Sequence, residues 1–258
     1  FPKLNADPNY HYEGILSAMK TAASHMPRVD AIGVSSAGVY VDNRIMVASL
    51  FLKVSDEDFE KKVKNMYIDV AREIGENIPI EVANDGDVTA LAGAMNLNDN
   101  SVLGIAMGTS EAAGYVDPQG NITGWLNELA FAPVDFCTDA MDDEWSGDYG
   151  CGVKYFSQDG VIKLAPYAGI ELDESLSPAE KLKITQKLME NDDPRAVQVY
   201  ESIGTYLGHT LAYYFEHYGF KYVLLRSSKA SRIIEFIKEQ IMKLHINEEL
   251  AYLYERFH

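Results

Sequence analysis

Basic residues are scarce in this chain of 258 residues: 22 Lys and Arg stand against 39 Asp and Glu, a formal net charge of −17. That balance repels nucleic acid and anionic membrane, whose binding draws on clustered cations that release counterions. Cysteine is scarcer still. Cys137 and Cys151 are too few for a disulfide framework, and their separation matches no common zinc spacing, so a reducing cytoplasm is the expected setting. Long hydrophobic runs are missing too. The most apolar stretch, Ile203 to Phe215, is broken by Gly208, His209 and Thr210 and falls short of the roughly 20 apolar residues a membrane-crossing helix needs. No secretory signal is read either. The chain opens on Phe1-Pro2 rather than methionine, so further sequence is expected upstream. What remains is ordinary globular composition, 47% hydrophobic and 24% charged, enough for a sizeable core in one or two domains.

Periodicity places the elements. Ile15, Met19 and Ala22 recur at helical spacing between Tyr12 and Ser24, before Pro27. Ala31 to Val34 reads as a strand ending in the small-residue loop Ser35-Ser36-Ala37-Gly38, and Val39-Tyr40-Val41 with Asp42-Asn43 as a strand and hairpin turn. Ser55 caps a helix with the apolar face Phe59, Val63, Met66, Ile68 and Val70, ending near Gly75. Ile78 to Ala83 is expected as a strand and Val88 to Met95 as a helix. Val102 to Met107 reads as a strand, Gly108 to Gly114 as a loop, and Asp117-Pro118-Gln119-Gly120 as a turn. Phe136 to Gly152 has no period and five acidic residues, which suggests an exposed, mobile flap. Ser177-Pro178-Ala179-Glu180 has the form of a capping box. Beyond it, Val199, Ile203, Leu207, Leu211 and Tyr214 define a long helix, Tyr222 to Leu225 a strand, and Arg232 to Lys243 a last helix. Alternating strands and helices argue an α/β fold.

Two segments could carry chemistry. In Asn84-Asp85-Gly86-Asp87 a carboxylate follows a strand and precedes a helix, where open α/β sheets bind ligands. Asp85 could take the proton of a hydroxyl that attacks a phosphoryl group, with Asn84 fixing the acceptor; equally, the segment could be a turn with helix-capping residues. In Gly108-Thr109-Ser110, amides and hydroxyls after a strand can cradle phosphate oxygens, although Glu111 would repel an anion unless it points away; an ordinary strand, loop and strand is the competing reading. The six histidines form no metal-ligand spacing, and the sixteen tyrosines lack interleaved cations, so both are read as packing and surface.

Taken in order, these segments resemble the ROK family of bacterial sugar kinases and sugar-responsive repressors, within the actin-like, hexokinase-type ATPases. Ile32 to Gly38 is similar to the family's strand and Pro-Gly loop, with Ala37 for the proline. Val82 to Asp85 resembles its Asn-Asp pair, Leu103 to Gly114 its second phosphate motif, and Gly124 to Phe131 its Gly-Glu-x-Gly-His segment. The resemblance implies an actin-like (ribonuclease H-like) ATPase fold of class α/β, with mixed sheets in a smaller domain (1–98) and a larger one (99–258) around a cleft, and a last helix that can return to the first domain. It further implies an ATP-dependent sugar kinase, cytoplasmic and homodimeric, with Asp85 as base, Asn84, Glu128, Ser36 and Gly38 at the sugar, and Gly108, Thr109 and Ser110 at the ATP phosphates. Mg²⁺ would accompany the nucleotide. Sugar and nucleotide are the implied partners, with neither nucleic acid nor membrane. The departures matter as much. Phe131 stands for a sugar- and zinc-binding histidine, and Val153 for a second sugar-binding glutamate, so no zinc is expected. Val223 to Ser228 lacks the glycine pair of the adenosine-side strand, and the Asp-x-Gly-Gly-Thr strand would lie before Phe1. A sugar-binding or regulatory relative that has lost phosphoryl transfer is the alternative.

Overall fold

Short parallel strands, each followed by a tight polar connection, set the architecture of both halves of this chain. The computed structural model describes residues 5–227 together with Ile233, Phe236 and Ile237. It divides into two compact units, Phe1–Val88 and Thr89–His258, so the division follows Val88 rather than Asn98.

In the first unit, helix α1 (Pro8–Ser24) begins where the Asp7 side chain accepts the Asn9 amide and proline occupies the first turn. Strands β1 (Ile32–Ser35) and β4 (Ile80–Ala83) pair in parallel, Ile32 beside Ile80 and Ser35 beside Ala83. Strands β2 (Val39–Val41) and β3 (Arg44–Val47) form the expected hairpin, and its turn residues Asp42 and Asn43 both adopt positive φ, 50° and 64°. The helix capped by Ser55 is less regular than its spacing suggests. Helix α2 (Asp56–Asp58) runs into a π turn over Phe59–Val63, and α3 follows at Met66–Ile74. The wide turn still buries Val63, Met66 and Val70 with Ile45, Phe51 and Val82 in one core.

Helix α4 (Asp85–Leu97) carries the chain from one unit to the next. In the second unit, β5 (Val102–Met107) is the central strand, antiparallel to β6 (Glu111–Val116) and parallel to β7 (Tyr222–Arg226). The loop expected over Gly108 to Gly114 is thus only Gly108 to Ser110. The small residues Ala112, Ala113 and Gly114 read as loop but continue the ladder, because strand pairing needs backbone rather than side chains.

Helix α5 (Gln158–Leu164), capped by Ser157, was not signalled by periodicity. Helix α6 (Pro178–Glu190) opens with the capping box, and α7 (Pro194–Tyr218) buries Val199, Ile203, Leu207, Leu211 and Tyr214 on one face. Each such side chain contributes about 1.5–3 kcal/mol by leaving water. Ile233, Phe236 and Ile237 join this second core, so these residues of the expected last helix stay with the second unit. The rest of that helix lies outside the described residues. Among the described residues no helix is long and apolar enough to cross a membrane.

The segment expected as a mobile flap is held down from inside. The Lys154 side chain, 5% exposed, places its ammonium 3.0 Å from Asp143, 2.6 Å from Glu144 and 3.0 Å from Asp159. Asp135 adds a second anchor, accepting hydrogen bonds from the Tyr155 and Tyr206 hydroxyls at 2.6 and 3.0 Å.

Candidate active site

The parallel pairing of β1 and β4 determines what meets in the first unit. Because the two strands run in register and end together, the residues beyond Ser35 and Ala83 become neighbours, and the Ser36 amide donates to the Ala83 carbonyl at 3.1 Å. Four of the expected sugar-side and catalytic residues, Ser36, Gly38, Asn84 and Asp85, therefore collect at the carboxyl ends of parallel strands, the usual ligand edge of such sheets.

Asn84 makes the join. Its side-chain oxygen accepts the Gly86 amide at 2.8 Å and so caps α4, while its amide donates to the Gly38 carbonyl at 2.8 Å. The turn-and-cap reading of this tetrapeptide is thus realised in Asn84, which at the same time ties the two loops together. Gly38 sits at φ 140°, and a Cβ there would lie 2.6 Å from the Val47 carbonyl oxygen, so only glycine suits the position. Asp85 follows as the first residue of α4, where the helix dipole favours a carboxylate, and it is exposed.

Two tyrosines complete the group. The Tyr67 hydroxyl donates to the Ser36 oxygen at 3.0 Å, and the Tyr40 hydroxyl to the Ala37 carbonyl at 3.0 Å. Burial raises the Tyr40 phenol well above its usual range, and the Asp85 carboxylate adds to the effect, so that phenol stays protonated at neutral pH. Sequence reasoning treated the tyrosines as packing; nothing in the sequence around Tyr67 marks a partner 31 residues away.

The second unit holds a different assembly. A cavity of about 670 Å³ opens beyond the carboxyl ends of β5 and β7; Gly108, Thr109, Gln158, Gln186, Tyr200 and Arg226 are among its lining. The loop at its mouth is tight: the Gly108 amide donates to the Ser110 carbonyl at 3.0 Å and the Gly108 carbonyl accepts from the Gln158 amide at 2.8 Å. Gly108 and Thr109 line the cavity, whereas Ser110 is exposed beside it and is not among its lining residues.

Glu111 turns away from this loop. It is 5% exposed, packed against Gly152, and both carboxylate oxygens lack a hydrogen-bond partner. Burial pushes its carboxyl up to about 8, so it is mostly neutral at pH 7 and does not oppose an anion at Gly108 and Thr109.

Glu128 is half-buried just before the short helical turn Leu129–Phe131. Phe131 is 36% exposed and packs against the exposed Trp145, ring centroids 5.5 Å apart. Val153 is half-buried beside the Lys154 cluster. Cys137 is exposed and Cys151 buried, and among the described residues no group of three or more His, Cys, Asp or Glu is arranged to hold a metal ion.

No family model and no curated protein matches this chain. Solved structures do. A ROK family transcriptional regulator, a homolog of the E. coli MLC protein, superposes with a TM-score of 0.73 at 19% identity, over 95% of this chain and 62% of its own. A ROK family glucokinase from Streptomyces griseus in complex with glucose and AMPPNP gives 0.67 at 17% identity, over 92% and 80%. The ROK hexokinase from Thermus thermophilus gives 0.65 at 17%, over 94% and 83%. This chain therefore has the actin-like ATPase fold of the ROK proteins, and it spans less than two thirds of the regulator's length.

Proposed function

We propose that this protein is a ROK family member and an ATP-dependent sugar kinase, transferring a phosphoryl group to a hydroxyl of a hexose or related sugar. The observation that carries the reading is the convergence of Asn84 and Asp85 with Ser36 and Gly38 at the carboxyl ends of β1 and β4. A kinase and a transcriptional regulator both share the fold, so the assignment rests on these residues rather than on the likeness.

In this reading Asp85, the first residue of a capped helix, accepts the proton of the attacking hydroxyl. Ser36, Gly38 and Asn84 orient the sugar, and Glu128 is the further sugar-side residue of this reading. The cavity beyond β5 and β7 suits the nucleotide: it has the volume for one, and Thr109 and Arg226, a hydroxyl and a guanidinium residue, are in its lining. Mg²⁺ bound with the nucleotide would neutralise charge on the phosphoryl oxygens. A homodimer in the cytoplasm, without nucleic-acid or membrane partners, belongs to the same proposal.

Replacing Asp85 with Asn keeps the helix start and removes the base. Sugar-dependent ADP release by the native protein should fall by about 10²- to 10⁴-fold with folding unchanged, and full activity in the variant would overturn the assignment. Phe131 favours a second reading, a sugar-binding regulator without transfer, because an apolar ring stands where the resemblance expects a sugar-binding histidine. Sugar binding with no ADP release at any nucleotide concentration would decide for it.

A further inference from the structure

The cavity of the second unit has an unusual charge. In a chain of net charge −17, the described lining residues include neither Asp nor Glu, and the one charged member among them is Arg226. Three described arginines face a nearby carboxylate, Arg28 with Asp30, Arg72 with Asp69 and Arg195 with Asp193; Arg44, outside the cavity, has no ion pair among the described residues. Arg226 has no such partner among the described residues.

Its position follows from the sheet. Arg226 ends β7 and pairs in parallel with Ala106 on β5, so its backbone lies level with the start of the Met107-Gly108-Thr109 turn. Arg226 thereby lines the same cavity as Gly108 and Thr109. A planar fork of donors on the same cavity as the Thr109 hydroxyl matches the oxygens of a phosphate group. Elsewhere the lining is apolar or neutral, with Val161, Leu182, Ile203 and the Tyr200 ring, which fits an uncharged base and ribose.

We propose that Arg226 is the anion-recognition residue of this cavity, holding the phosphates of a nucleoside di- or triphosphate and setting the preference for a nucleotide over a nucleoside. The inference deepens the kinase reading and rests on it for the identity of the ligand, but the contact itself is independent of phosphoryl transfer.

Calorimetric titration of the full chain with ATP, adenosine and tripolyphosphate, for wild type, Arg226→Gln and Arg226→Lys, tests it. Arg226→Gln should weaken ATP and tripolyphosphate about tenfold to a hundredfold and leave adenosine within about twofold, while Arg226→Lys recovers part of the loss. Unchanged ATP affinity in Arg226→Gln, an equal loss for adenosine, or a wild-type protein that binds no polyphosphate would each overturn it. The two proposals fail separately. Polyphosphate binding through Arg226 without sugar phosphorylation leaves this inference standing and removes the kinase, whereas sugar phosphorylation with an ATP requirement indifferent to Arg226 does the reverse.

Discussion

Glu111 is a buried carboxyl whose ionisation opposes folding. An acid whose folded pKa of about 8 lies above its ordinary value of 4.5 is ionised in the unfolded chain first, so its effect on stability has a definite sign. Stability is highest below about pH 4.5 as far as this group is concerned, declines as pH rises from there to about 8, and then levels off. Glu111→Gln removes the ionisation while keeping the shape. The melting temperature of the variant should exceed that of wild type by an amount that grows between pH 5 and 8, and a constant difference across that range would show the carboxyl is not buried as described. The sequence raised the question of Glu111 without answering it: a carboxylate inside a phosphate-type loop is an objection until packing against Gly152 is seen to take it out of the way. Tyr67 and Ser36 are a similar case, since a hydroxyl pair separated by 31 residues has no local signature. Asn84 and Asp85 were legible because their chemistry depends on neighbours in sequence, a strand before and a helix after.

At the scale of elements, local signals succeeded where one face of a helix meets a core or a turn imposes its own geometry. The 25 residues of α7, the capping box of α6 and the Asp42-Asn43 hairpin turn all follow directly from spacing and turn chemistry. They failed where stabilisation comes from elsewhere in the fold. Strand β6 begins Glu111-Ala-Ala-Gly, a loop-like composition that the β5 ladder overrides, and the seven-residue α5 is too short for its period to register. The acidic segment from 136 to 152 is largely exposed and irregular, as its composition suggests, but its anchor was not legible because Lys154 lies beyond its end. The Lys154 ammonium holds the Glu144 carboxyl down at about 2, so this part of the cluster stabilises the fold above the ordinary glutamate range and is lost only as pH falls toward 2. Lys154→Met would leave Asp143 buried without its cation. Unfolding in urea should show a loss of about 3–5 kcal/mol, together with faster proteolysis between residues 136 and 152, and wild-type stability would mean the cluster is decorative.

Across the whole molecule, a net charge of −17 discriminates among phosphates rather than refusing them all. A polymer backbone needs a broad cationic surface, which the excess of acids disfavours, whereas one nucleotide would need only a few donors in a small space, such as Thr109 and Arg226 in the cavity lining. The fold alone leaves a kinase and a regulator equally available, since both kinds of protein share it. What separates them is whether a phosphoryl group is transferred to a sugar. The most direct measurement is a ³¹P spectrum of the native protein incubated with ATP, magnesium and a panel of hexoses and amino sugars. A sugar-phosphate resonance should grow in step with ADP for at least one sugar and be absent with Asp85→Asn. Sugar binding to the same protein with no sugar-phosphate resonance, or ADP formed together with inorganic phosphate alone, would contradict the kinase reading.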